Sequence, residues 1–442
     1  MSARPAPEPV VLAAAPSPWV PLGFMVPGVA LLFGSLAALP FLAGKLTDWY
    51  YQQEVLAAVH TLTLGFVLSV FLGATAQLLP VLAGGALRRT RLVGAANVLF
   101  LAGAAGMVAH FWRLRWPGIL GSALMVVLAV ALFFAATVPL LLKARGDAVR
   151  LGFLLAFAGL LLTMSAGLLI GWNRHHPFLP GAPLGYLGAH LHLGLLATFT
   201  VAIFGVESKL LPLFLLGEPP VAGRQALALW LTWGGAVAIA AALCLGWPAA
   251  PFAALPAAGL ALQVIGLAGV LRSRRRRQID AGFRYALSAY LDLALALVVG
   301  LAWALGLGAG TALPIRLAWV YVYLLLVGFV IQTVIGILSK ILPFLVWQST
   351  YARRAGLFHV PTLRELSSER LQTVGFWLFR AATLLFVLAL LRGRLVEIRV
   401  LATFQALALI PFVLHTARVL FHLARPLRLR PISMEVPVAM GR

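Results

Sequence analysis

The chain has 442 residues, 62% of them hydrophobic and only 10% charged, with a formal net charge of +22. A soluble protein needs about a quarter of its residues charged, so this composition excludes a water-soluble fold and supplies apolar material for many bilayer spans of about 20 residues each. The single cysteine, Cys244, excludes an internal disulfide.

Residues 1–21 are rich in Pro and Ala and have no basic segment leading into an apolar core, so they are read as a cytoplasmic tail and not as a cleavable signal peptide. Twelve predicted spans follow, at roughly 22–44, 53–83, 91–110, 117–142, 151–172, 185–216, 225–247, 251–271, 284–308, 314–346, 372–391 and 398–424. The breaks between them carry Pro, Gly, Trp or charge clusters, as span ends should. Residues 425–442 form a second tail. The expected fold class is an all-α integral membrane protein: one twelve-helix domain over 22–424, built from repeats at about 22–142, 151–271 and 284–424.

The basic residues set the orientation. With both termini and every even-numbered loop in the cytoplasm, 26 of the 34 Lys and Arg lie on that side, including the runs Arg88–Arg91, Lys143–Arg150, Arg272–Arg277 and Arg353–Arg370. Outside remain Lys45, Arg113, Arg115, Arg174, Arg316, Arg392, Arg394 and Arg399. This is the positive-inside pattern of an inner (cytoplasmic) membrane of bacterial type. Because the charge sits in short loops between apolar runs, it signals topology and lipid contact and argues against nucleic acid.

Three spans share a pattern. Span 2 carries His60-Thr-Leu-Thr-Leu-Gly-Phe, then Gly73 and Gln77-Leu-Leu-Pro80. Span 6 carries His190-Leu-His192, then Gly205 and Lys209-Leu-Leu-Pro212. Span 10 carries Tyr321-Val-Tyr323, then Gly336 and Lys340-Ile-Leu-Pro343. From His60, His192 and Tyr323 the glycine follows 13 residues later and the proline 20 later in each case. Three four-helix units are therefore expected, each with a polar side chain near the outer end of its second helix. The glycines are expected to let helices approach closely, and the prolines to close the spans at the cytoplasmic side.

Six of the nine histidines fall in the outer half: His60, His110, His175, His176, His190 and His192. A polar group in hydrocarbon needs a partner, and neutral imidazole is a common ligand for haem iron. His190 and His192 are two apart, which turns them about 200° from each other on a helix, so one helix can serve two sites. Structural hydrogen bonding is the alternative for all three. His110 is assigned to an interfacial aromatic belt. His175 and His176 lie in a loop, solvated or with a copper or haem-edge role. His359, His415 and His422 are far from the others. Glu207 and Asp292 are the acids within spans, both expected to snorkel towards the cytoplasmic end. A proton relay is the functional alternative for both, and a polar contact near Tyr290 a further one for Asp292.

The segment Gly188-Ala-His190-Leu-His192-Leu-Gly, followed by Lys209-Leu-Leu-Pro212-Leu-Phe, resembles the haem-bearing helix of subunit I of haem–copper oxidases, closest to cbb-type oxidases and nitric oxide reductases. The twelve spans, the threefold units and His60 resemble that family too, and the NnrS family of haem membrane proteins is similar in type. The resemblance implies a haem–copper oxidase subunit I-like fold and a non-covalent haem b, the C-x-x-C-H attachment being absent. It implies His60 and His192 as axial iron ligands, with His190 as a second-site or alternative ligand. Arg392 and Arg394 would hold haem propionates, and Tyr321 and Tyr323 are further candidates.

The departures are specific. The His-x-His stands one repeat earlier than in the family, span 7 has no His-His pair, and no His-Pro-Glu-Val-Tyr motif is present. A complete binuclear centre is therefore not expected, and copper is not supported. The function implied is respiratory electron transfer or nitric oxide metabolism, with a small gas, nitric oxide or oxygen, as ligand. If the chain is an enzyme, it is an oxidoreductase. The short outer loops imply a separate cytochrome c or cupredoxin-type electron donor. The alternative class is a cofactor-free transporter or an accessory or assembly subunit.

Overall fold

The computed structural model describes residues 16–144 and 148–431. Most of the predicted N-terminal tail (1–15), the end of the C-terminal tail (432–442) and residues 145–147 of the basic run after span 4 lie outside the described residues.

Inside a bilayer every backbone polar group must be satisfied within the protein, so an apolar chain of this kind folds as helices. Among the described residues, twelve helices are long and apolar enough to cross a membrane. They are α1 (Trp19–Leu42), α2 (Gln53–Val81), α3 (Thr90–Trp112), α4 (Trp116–Lys143), α5 (Ala148–Asn173), α6 (Pro183–Leu215), α7 (Ala222–Leu245), α8 (Ala250–Ser273), α9 (Ala281–Ala304), α10 (Leu313–Thr350), α11 (Glu369–Arg392) and α12 (Leu395–Ala424). Every end lies within four residues of the predicted one. The protein is a multi-pass α-helical membrane protein.

The second helix of each unit lies at the centre. The most apolar stretches of α2, α6 and α10 are 56, 72 and 83% buried, whereas no other helix exceeds 50%. These three meet in pairs through aromatic rings: Phe71 of α2 lies 6.3 Å from Phe199 of α6, and Phe204 of α6 lies 6.4 Å from Phe329 of α10. The predicted glycines touch the first helix of their own unit. A methyl group on Gly73 would meet the Pro21 carbonyl of α1, one on Gly205 would meet Gly152 of α5, and one on Gly336 would meet the Gly282 carbonyl of α9. Close helix approach is thus the role all three share.

One shared feature has no counterpart in the sequence pattern. Immediately after His60, His192 and Tyr323, each central helix widens into an eight-residue π-helical segment: Thr61–Leu68, Leu193–Thr200 and Leu324–Ile331. Such segments are rare and concentrate at functional sites.

The prolines differ among units. Beyond Pro80 and Pro212 the helices end in a left-handed residue, Gly84 at φ 62° and Leu216 at φ 52°. The amides of Gly85 and Gly217 then bond back to the Pro80 and Pro212 carbonyls, at 3.1 and 3.0 Å. The third proline closes nothing, since α10 continues past Pro343 to Thr350.

The two acids do not snorkel. Glu207 and Asp292 are 2% and 1% exposed. Glu207 accepts a hydrogen bond from the Tyr290 hydroxyl, which in turn accepts from Gln263 at 3.0 Å. Asp292 pairs not with Tyr290 but with Arg380 of α11. An unpaired charge in hydrocarbon is costly, and the midpoint of α11 supplies a cation at the depth of Asp292.

Candidate functional site

The side chains singled out on α2, α6 and α10 converge at one end of the bundle. The Nδ1–H of His60 bonds the Leu56 carbonyl one turn back at 2.7 Å, and that of His192 bonds the Gly188 carbonyl in the same way at 2.7 Å. His190 turns away from its own helix, and its Nδ1–H bonds the Thr163 carbonyl of α5 at 2.9 Å. Gly167 lies against the His190 ring, where a Cβ would come within 3.0 Å of its Cε1. A carbonyl only accepts, so all three Nδ1 atoms carry protons and all three Nε2 atoms present a lone pair.

Those lone pairs meet different partners. The Tyr321 hydroxyl of α10 donates to His192 Nε2 at 2.9 Å. The rings of His60 and His190 are neighbours, with centres 6.3 Å apart and planes within 21° of parallel. A metal–imidazole bond is about 2 Å and each ring centre lies roughly 1.2 Å beyond its nitrogen, so two imidazoles gripping one ion from opposite sides have centres about 6 Å apart. The His60–His190 pair has that spacing. It borders a cavity of about 270 Å³, whose walls also include His192, Tyr321, Trp303, Met107 and Phe111. That volume falls just below the range of small-molecule pockets, roughly 300–1,000 Å³. At the mouth, Trp319 donates to the Asp48 carbonyl at 3.1 Å and packs edge-on against Tyr50. Burial pushes the Tyr50 hydroxyl above its ordinary pKa, so it stays neutral.

The threefold pattern organises these contacts. The position of His60, His192 and Tyr323 in one unit faces, in the next unit, the position two residues earlier. His60 thus meets His190, and His192 meets Tyr321. At the third interface Tyr323 and Ala58 line a separate apolar cavity of about 80 Å³. His60 is therefore set against His190, and His192 is turned to the third unit.

The remaining candidates lie elsewhere. Arg392 and Arg394 are 65 and 76% exposed, both pair with Glu397, and neither lines the cavity. A further basic group is Arg174, whose guanidinium lies 4.9 Å over Tyr51 and 5.3 Å over Trp116. Nothing local in the sequence marks it, because its aromatic neighbours come from the loop before α2 and from the start of α4. His175 and His176 are exposed, the latter 5.7 Å from Trp172. The His110 ring abuts Gly118. His415 is buried between the Ser368 amide and Gln372, and His422 accepts from the Tyr351 hydroxyl at 2.9 Å.

A haem–copper terminal oxidase, solved by cryo-EM as a dimer, has a similar structure: TM-score 0.64 and 10% identity, covering 94% of this chain and 83% of that one. At that identity the likeness concerns the fold alone, which this chain shares with that oxidase. No protein-family model matches the chain, and no curated protein matches its sequence.

Proposed function

We propose that this protein is a haem-binding membrane protein of the respiratory type. It would hold a non-covalent haem b between His60 of α2 and His190 of α6 and act in electron transfer or in nitric oxide metabolism, without a complete haem–copper binuclear centre. One observation carries the reading: two imidazoles, each tethered through Nδ1 to a backbone carbonyl and so with Nε2 left as the lone-pair nitrogen, border one apolar cavity with ring centres 6.3 Å apart. A haem there supplies one-electron redox chemistry and an iron centre for small gases such as nitric oxide or oxygen.

The chain's own residues have separable tasks. The Leu56 and Thr163 carbonyls fix the tautomer and aim of the two rings. The apolar walls exclude water and hold the site at low dielectric. Tyr321 restrains His192 by engaging its lone pair. Electrons would arrive from a soluble cytochrome c or cupredoxin-type donor on the outer face, with both termini in the cytoplasm of a bacterial-type inner membrane.

The test is a reduced-minus-oxidised optical spectrum of the purified protein with iron and haem quantification. The expected result is a b-type band and about one iron per chain, lost in His60→Ala and in His190→Ala. A colourless, iron-free protein that carries solute into liposomes would end this reading and favour a transporter.

A further inference from the structure

At the end of the bundle opposite the histidines, the loop after α10 and the chain leaving α12 are fastened together. The Tyr351 side chain is fully buried, and its hydroxyl donates to His422 and accepts from the Leu427 amide at 3.0 Å. The His359 amide bonds the Arg430 carbonyl at 2.9 Å, and Phe358 bridges to Pro431. The Arg354 carbonyl accepts from the Leu357 and Phe358 amides. These bonds collect Arg353, Arg354, Arg425, Arg428 and Arg430 on one corner, all exposed.

None of the five makes an ion pair among the described residues. The acids at this end are otherwise engaged: Glu369 pairs with Arg364, and Glu365 caps its own short helix at Thr362. Beside the arginines, Leu357, Leu427 and Phe421 are 66, 49 and 56% exposed. α10 and α12 end at Thr350 and Ala424, so the corner stands within a few residues of the bilayer surface.

We propose that this clasp is a binding surface for anionic phospholipid headgroups. Guanidinium groups match phosphate oxygens in bidentate geometry. The exposed leucines and Phe421 suit the acyl boundary just below a headgroup. Orientation of the chain requires only the positive charges. It does not require the segment after α12 to be pinned to the loop by a buried tyrosine, whereas a headgroup site needs its arginines held together.

The full-length protein is exchanged into detergent micelles doped with phosphatidylglycerol or phosphatidylcholine, and retained lipid is counted by native mass spectrometry. The wild type is expected to retain phosphatidylglycerol preferentially. The triple variant Arg353→Gln, Arg428→Gln, Arg430→Gln should lose that preference by at least tenfold, since each basic group at an anionic surface contributes roughly fivefold. Leu357→Ser with Leu427→Ser, which leaves the charges intact and so controls for misfolding, should lower lipid retention but not binding of inorganic phosphate. Three results would overturn the proposal. These are equal retention of both lipids by the wild type, complete competition by millimolar inorganic phosphate, and an equal loss in the charge-matched variant Arg275→Gln, Arg276→Gln, Arg277→Gln.

Discussion

Replacing His190 and His192 one at a time tests which of them is the partner of His60, a place that the sequence reading gives to His192 with His190 as the alternative. Ligation through His60 and His190 breaks no hydrogen bond, because only their Nδ1 atoms are engaged. Ligation through His192 must first displace the Tyr321 hydroxyl from its Nε2. That bond is worth about 0.5–1.5 kcal/mol net, up to roughly tenfold in favour of His190 before geometry is counted. Geometry adds to this, since the His192 ring is turned to the third unit. His190→Ala should therefore leave less than about a tenth of the wild-type haem, given that losing even an outer partner of a ligand costs 10–100-fold. His192→Ala and Tyr321→Phe should keep haem content within about twofold. The assay is haem per protein after purification, with the reduced-minus-oxidised band recorded on the same samples. If His192→Ala empties the protein while His190→Ala keeps its band, the assignment made from ring spacing and hydrogen bonding is wrong.

Other perturbations follow from the packing. Asp292→Asn leaves the Arg380 guanidinium buried without its anion and should destabilise the protein by about 3–5 kcal/mol, whereas Asp292→Asn with Arg380→Gln should recover part of the loss; thermal unfolding of the three proteins checks both. Gly152→Ala puts a methyl group 2.7 Å from the Gly205 Cα. It should cost about 1–3 kcal/mol and perturb the haem band, since α5 also supplies the Thr163 carbonyl to His190. Leu216→Gly relieves a left-handed residue that is 61% exposed and should raise the unfolding temperature, because a side chain in that conformation costs about 1–2 kcal/mol. Arg392→Ala with Arg394→Ala should leave haem content unchanged, as read from the optical band.

What the sequence made legible was whatever repeats along it. Hydropathy marks each span because a helix must supply about 20 apolar residues to cross. The threefold register survives in Gly73, Gly205 and Gly336 because only a minimal side chain fits those helix contacts. The π-helical segments left no such trace, since the spacing from His60 to Gly73 is the same whether or not the turn between them is widened. The partner of each histidine was also hidden. The 200° offset tells that His190 and His192 diverge, but the direction each takes depends on how the three units close around their axis. The ion pair of Asp292 with Arg380 at the middle of α11 joins distant helices and so has no local signature. Loop order places Arg392 and Arg394 on one side of the membrane but does not fix a position around the bundle.

The small cavity between Ala58 and Tyr323 gives the architecture a spare berth. Three clefts are cut to one pattern, and in this chain one has a pair of imidazoles, one an imidazole and a phenol, and one a phenol facing a methyl group. Ala58→His would put an imidazole in the wall of that cavity, at the repeat position that His190 and Tyr321 hold in the other two units.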